Sequence, residues 1–245
     1  TGLRAEGDSR LRRVSFTDRG AARQLDCDTL LLHQGVVPST NLAMSIGCTH
    51  RWDDAQLCFV PTLDAWGHSD VDGVSIAGDG AGIAGAESAA ERGRLAALDA
   101  ACRLGRIDEA ARDREAVVPR RMLAKYGRGR AFLDRIFRPL EAHRVPSGDT
   151  IACRCEEVSA AQIVEAVSIG ATGPNQLKAY LRCGMGPCQG RLCGLTVTEL
   201  IARARGKTPE EIGHYRLRPP VKPITVAELA SLPRSEAEAN AVARQ

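Results

Sequence analysis

The sequence predicts an α/β domain followed by a small helical domain, and three observations carry that prediction. Short apolar runs ending in glycine are followed by an alanine-rich helical pattern before residue 105. Beyond residue 150 the chain reads as short helices with start and stop signals. Five of the nine cysteines, Cys153, Cys155, Cys183, Cys188 and Cys193, fall within 41 residues. A length of 245 residues accommodates two domains, and 44% apolar with 26% charged residues is ordinary globular composition. No run of about 18 apolar residues suggests a membrane span, and a net charge of +3 is too small to imply a nucleic-acid partner. The opening "TGLRAEGDSRLRRVSF" starts at Thr1 and lacks the pattern of a secretion signal. It reads as the cut end of a longer, cytoplasmic protein.

Residues 10 to 38 alternate short apolar runs with turns, and "DTLLLHQGVVP" (28–38) predicts a buried strand stopped by Gly35 and Pro38. "GVSIAGD" (73–79) predicts a second strand, closed by glycines and followed by a helix to about Gly105. Strand, glycine turn and helix in succession is an α/β signature, so residues 1–105 form the first domain. Residues 106–150 predict an arginine-rich helical linker broken near Pro119 and Pro139. From Arg103 to Arg144 it carries twelve Arg or Lys against six acids, which predicts a solvated basic face. In the second domain, 151–212, Ser159 with Gln162 and Thr208 with Glu211 form capping boxes, and Pro174 opens a helix. Along "RLCGLTVTELIARARG", Leu192, Leu195, Leu200 and Ile201 are expected on one side. Residues 213–245 predict an extended, proline-rich tail.

The clustered cysteines call for a shared partner atom. A chain of this size does not need disulfide staples, and Cys-x-Cys followed some 30 residues later by another cysteine pair brings thiolates from two segments. Structural zinc favours looser pairs, which tilts the choice toward a [2Fe–2S] cluster over zinc or unligated buried thiols. Gly184, Gly186, Gly190 and Gly194 would let backbone N–H groups approach the sulfur atoms.

"CRCEEV" (153–158) with "GMGPCQGRLCG" (184–194) resembles the bacterioferritin-associated-ferredoxin type of [2Fe–2S] domain. It is still more similar to the version attached to FAD-dependent oxidoreductase subunits of the opine and hydroxyproline dehydrogenase type, and of glycerol-3-phosphate dehydrogenase. That resemblance implies Cys153, Cys155, Cys188 and Cys193 as ligands and leaves Cys183 surplus. The second pair departs from the parent pattern, being Cys-x₄-Cys rather than Cys-x₂-Cys.

Gly80, Gly82 and Gly85 have Gly-x-Gly-x-x-Gly spacing, but the second strand and acid of a dinucleotide fingerprint do not follow. "VDGVSIAGDGAGIAGAESAAERGRLAA" instead resembles the late flavin motif of two-dinucleotide-domain flavoproteins. By that resemblance Gly78, Asp79, Gly80 and Gly82 bind FAD, with Asp79 on a ribityl hydroxyl. Gly35 and Pro38 would close an interposed NAD(P)-binding domain, which makes NAD(P) a further implied cofactor. The first domain is then a partial two-dinucleotide-domain flavoprotein, with an incomplete flavin site in this chain alone. A second flavin-containing subunit would oxidise a small amine substrate, and this chain would relay electrons. The alternative is a non-enzymatic iron–sulfur carrier or binding module. His33, His50, His68, His143 and His214 stand far apart in sequence and predict no catalytic group, and Trp52 and Trp66 predict packing near the first domain's surface.

Overall fold

The computed structural model describes residues 1–233. The chain divides into two compact units, Thr1–Gly35 and the remainder from Val36. In the first unit, β1 (Arg4–Glu6), β2 (Arg13–Asp18) and β3 (Ala21–Asp26) form an antiparallel sheet in that order. Asp18 pairs with Ala21, and Arg19 and Gly20 between them have φ of 49° and 83°. Positive φ at both positions is the type I′ geometry that matches strand twist.

The run 28–38 forms no strand, contrary to expectation. Among the described residues no strand pairs with it, and Leu31 is 91% exposed. The expected strand at 73–79 is likewise reduced to an isolated bridge between His68 and Ser75, followed by a 3₁₀ turn at Gly78–Ala81. Its hydrogen-bonding groups are spent on a local loop, with Ser69 N–H bonded to the Val74 carbonyl and Ile76 N–H to the Gly67 carbonyl.

The second unit begins with α1 (Asn41–Ile46) and the hairpin of β4 (His50–Asp53) and β5 (Cys58–Pro61). The hairpin places Trp52 opposite Phe59, with ring centroids 5.1 Å apart in an edge-to-face pair. After the 3₁₀ turn, α2 (Ala86–Arg103) packs on α3 (Glu109–Tyr126). Helix α3 runs through Pro119 rather than breaking there. An interior proline costs about 3 kcal/mol, and burial of Ala116 and Pro119 against the molecule offsets it. The helical stretch breaks instead at Gly127–Gly129, and again near Pro139 as expected, between α4 (Arg130–Ile136) and α5 (Glu141–Arg144).

The linker's arginines are only partly a solvated face. Arg112 and Arg120 each lie 4.4 Å from the centroid of the Trp66 ring, and Arg112 also reaches the buried Asp99, 3.4 Å away. Arg144 pairs with the nearly buried Glu199, tying α5 to the helical region that follows.

That region contains β6 (Ile151–Cys153), β7 (Val158–Ser159), α6 (Ala160–Ser168), α7 (Pro174–Leu181), α8 (Gly194–Arg205) and α9 (Pro209–Ile212). It is therefore helical around a two-stranded hairpin rather than all-helical. Both capping boxes form, on Ser159 and Thr208, and Pro174 occupies the first turn of α7. Ile163, Leu177, Val197 and Ile201 are fully buried and centre a core that includes Cys153, Cys183 and Cys193. Leu200 joins that core, whereas Leu192 lies in the loop before α8 and points outward, 68% exposed. The tail is not wholly extended: Tyr215 and Leu217 enter the core, and α10 (Val226–Ala230) follows. The rest of the predicted tail, 234–245, lies outside the described residues. No helix among the described residues is long and apolar enough to cross a membrane.

Candidate metal centre

Cys153 ends β6, where the β6–β7 register is irregular, and Cys155 lies in the turn that follows. The second cysteine segment begins where α7 stops: Arg182 takes left-handed geometry at φ 57°, and Gly184 and Gly190 have φ of 87° and 75°. Short backbone bonds close the loop, from Gln189 N–H to the Gly186 carbonyl and from Arg191 N–H to the Cys188 carbonyl. Cys193 then caps the start of α8.

This folding sorts the five thiols into two groups. The Sγ atoms of Cys153, Cys183 and Cys193 all lie within 4.8 Å of one another, and each residue is at most 1% exposed. Cys155 and Cys188 are half-buried and lie near each other, outside that triad. Of the ligands implied by resemblance, the structure thus brings Cys153 to Cys193 and Cys155 to Cys188. It also places Cys183, left surplus by that resemblance, inside the buried triad.

Backbone N–H groups are aimed at the half-buried pair. The Cys188 N–H donates to Cys155, but the Cys188 thiol, burial and nearby sulfur leave the Cys155 pKa raised. At Cys188 burial acts upward, and the N–H groups of Leu192 and Gly190, with the Cys155 thiol and Arg191, bring the pKa below the usual thiol value. In the triad, the neighbouring polar groups, the Cys193 thiol foremost, hold Cys183 down at about 7 against burial. Cys193, as donor to Cys183 and buried, is shifted upward. The shifts divide: Cys183 and Cys188 are held toward the thiolate, the form that binds metal, while Cys155 and Cys193 are held toward the thiol.

The glycines of the loop have a role the spacing alone did not reveal. A Cβ on Gly184 would stand 2.5 Å from Cζ of Tyr215, and one on Gly190 would stand 2.8 Å from its Cδ2. Gly194 lies against the same ring, at 3.5 Å. Of these four glycines Gly186 faces a cysteine, where a Cβ would meet Cys155 Cβ at 2.3 Å and Sγ at 3.3 Å. The glycines therefore form a socket for an aromatic ring as well as a close backbone approach to sulfur. Tyr215 comes from the tail, and its one sequence signal is an aromatic residue ahead of a proline-rich stretch.

At the predicted flavin turn, Gly78, Asp79 and Gly80 form the 3₁₀ turn, and Gly82 follows with φ 115°. Arg92 on α2 clamps the turn, its Nη1 donating to the carbonyls of Gly78 at 3.2 Å and Gly82 at 2.5 Å. Asp79 is exposed, and its Oδ1 accepts the Ala84 N–H at 3.3 Å. A cavity of about 330 Å³ opens beside Gly82, Ala84 and Arg92, with Arg51 and Arg130 on its wall. A polar carboxylate on a glycine turn ahead of a helix, beside basic side chains, suits a hydroxylated, anionic cofactor. Pro38 is buried, and the carbonyl of its neighbour Ser39 lies 3.9 Å from the Cβ position of Gly80. Gly35 belongs to the other unit, where its N–H donates to His33 Nδ1.

Asn41 of α1 donates to the Gln189 carbonyl at 3.2 Å, linking the first part of this unit to the cysteine loop. The histidines are less separate than their sequence positions: the rings of His50 and His214 lie 5.5 Å apart, and Phe59 is 5.2 Å from His214. Burial lowers the His50 pKa.

Residues 150–232 match the family described as Sarcosine oxidase A3 domain. The chain is 46% identical to an opine oxidase subunit of Rhizobium meliloti, over 96% of this chain and 45% of the relative. It is 35% identical to Hydrogen cyanide synthase subunit HcnB of Pseudomonas protegens, over 84% of this chain and 44% of the relative. In fold it is similar to L-proline dehydrogenase from P. horikoshii, with a TM-score of 0.68 over 93% of this chain and 44% of that one, at 22% identity. The chain spans about half the length of the relatives it matches. Over nearly all of its own length it is similar to subunits of oxidoreductases, with the mixed α/β fold of a dehydrogenase chain.

Proposed function

We propose that this chain is part of a subunit of an FAD-dependent oxidoreductase of the opine, amine or hydroxyproline dehydrogenase type, and that residues 151–212 hold a [2Fe–2S] cluster. The single observation carrying this reading is the buried triad of thiols, Cys153, Cys183 and Cys193, within 4.8 Å of one another, in the segments that also carry the half-buried Cys155 and Cys188. Cys155 and Cys188 from the pair, with Cys153 and Cys193 from the triad, are the proposed ligands, and Cys183 is the fifth thiol at their side. The soft donor set fits iron–sulfur chemistry, and the N–H groups fit sulfur that carries negative charge. When bound, the flavin supplies two-electron chemistry and the cluster divides it into single-electron steps.

The chain's own residues would do the following. Gly186 lets the loop lie against Cys155, so that the two cysteine segments share one centre. The packed core around Ile163, Leu177 and Val197 excludes water from the triad side. Arg92 fixes the Gly78–Gly82 turn, and Asp79 presents its carboxylate there for a ribityl hydroxyl of FAD. Oxidation of an opine or other amine would occur on a second, flavin-containing subunit, by analogy with the named relatives.

Asp79→Ala in the full-length subunit tests the flavin half: the variant should lose FAD while keeping the cluster's visible absorption, and undiminished FAD would contradict the assignment. A second reading, zinc, is favoured by one observation, that three Sγ atoms within 4.8 Å also suit a single tetrahedral ion. Stoichiometric zinc in anaerobically purified protein would establish it.

A further inference from the structure

We propose that α4 and the stretch after it are the surface on which the second, substrate-oxidising subunit docks, an apolar patch rimmed by arginines that takes an acidic-rimmed partner. The inference rests on the two-subunit reading given above. Helix α4 is inside out. Its polar pair, Arg130 and Asp134, is half-buried, with Arg130 Nε donating to Asp134 Oδ1 at 2.9 Å. Phe132, Leu133, Ile136, Phe137 and Leu140 are exposed instead, Phe132 at 64% and Phe137 at 74%. Positions 132, 133 and 136 share one face of the helix, and 137 and 140 continue from its end. Two of the chain's four phenylalanines thus face water within six residues. Contiguous exposed apolar groups with aromatic anchors mark a protein-binding surface.

Charge selects the occupant. Arg128, Arg135 and Arg138 are exposed around the patch, and among the described residues none of the three pairs with a carboxylate. Arg138 donates to the Asp54 carbonyl at 2.6 Å, which leaves its charge uncompensated. A second copy of this chain would set the same arginines against themselves across a two-fold axis, and like charge opposes that. A different protein, with Asp and Glu around an apolar surface, satisfies both the patch and its rim. The patch is also tied to the sulfur centre. Next along the chain, α5 is held to α8 by the Arg144–Glu199 pair, and α8 starts at Cys193. A partner held here is therefore anchored to the scaffold of the centre that receives its electrons.

The test uses the full-length subunit coexpressed with its second subunit, with p-benzoylphenylalanine at position 137 as a photo-crosslinker. A crosslink to the second subunit is expected; a crosslink within the same chain, to a second copy, or to nothing would overturn the assignment. Phe132→Ser combined with Phe137→Ser should weaken assembly about thirty-fold or more, the loss of one hot-spot contact. Arg135→Glu should slow association and reduce its dependence on salt. Both variants should keep the far-ultraviolet circular dichroism of the wild type, since the altered side chains are exposed; the crosslink decides the matter should either fail to fold. Unchanged affinity and rate in folded variants would overturn the docking surface and leave the two-subunit reading standing. Wild-type subunits that do not assemble at all would overturn both.

Discussion

Gly184→Ala measures how tightly the ring of Tyr215 is held against the cysteine loop. The added Cβ meets Tyr215 Cζ at 2.5 Å and Cε1 and Cε2 at 2.8 Å, all ring atoms that cannot rotate aside. The residue also has φ 87°, which costs an alanine about 1 kcal/mol. Overpacking in a dense core adds about 1–3 kcal/mol, for a total of about 2–4 kcal/mol. At about 2–4 °C per kcal/mol for a unit of this size, melting should fall by roughly 4–16 °C. Gly206→Ala is the control: its φ is 63°, but nothing lies within 4 Å of its Cβ position, so only the backbone cost of about 1 kcal/mol applies. Thermal unfolding followed by circular dichroism on anaerobic protein compares the two. Combining Gly184→Ala with Tyr215→Ala should show a coupling of about 0.5–3 kcal/mol. Equal melting temperatures for the two glycine variants would refute the socket.

Two further outcomes are expected. Cys155→Ser and Cys188→Ser should each abolish the visible absorption and the low-temperature EPR signal of the reduced protein, while Cys183→Ser retains both; loss of the signal in Cys183→Ser would move Cys183 into the ligand set. Burial, aided by Asp53 and Asp134, pushes the Cys58 thiol up from 9.0 to about 12. The folded state therefore keeps a proton that the unfolded state gives up. This contribution is fully present below pH 9 and is lost between pH 9 and 12, amounting to roughly 4 kcal/mol. Cys58→Ala should flatten this part of the alkaline denaturation curve, and an unchanged curve would show that Cys58 is not its source.

Features set by neighbouring residues were legible in the sequence. The capping boxes on Ser159 and Thr208, the Pro174 start and helix α2 depend on contacts within a few residues, which composition and spacing report directly. The strands expected at 28–38 and 73–79 failed because an apolar run becomes a strand only beside a partner, and periodicity does not reveal whether one exists. Pro119 misled for a similar reason: its local penalty was visible, but the burial that offsets it comes from packing. At the centre, the clustering of cysteines was evident, whereas the split into triad and pair depends on how the loop 183–193 folds back on β6. Tyr215 was the least legible of all. Its glycine partners stand out in the sequence, but the ring they accommodate arrives from a tail whose composition suggests only an extended strap.

The most direct measurement of the central claim is iron, zinc and acid-labile sulfide content per chain in anaerobically purified protein. The account predicts about two iron and about two sulfide per chain, with little zinc. Stoichiometric zinc without sulfide, or five free thiols with no metal at all, would contradict it.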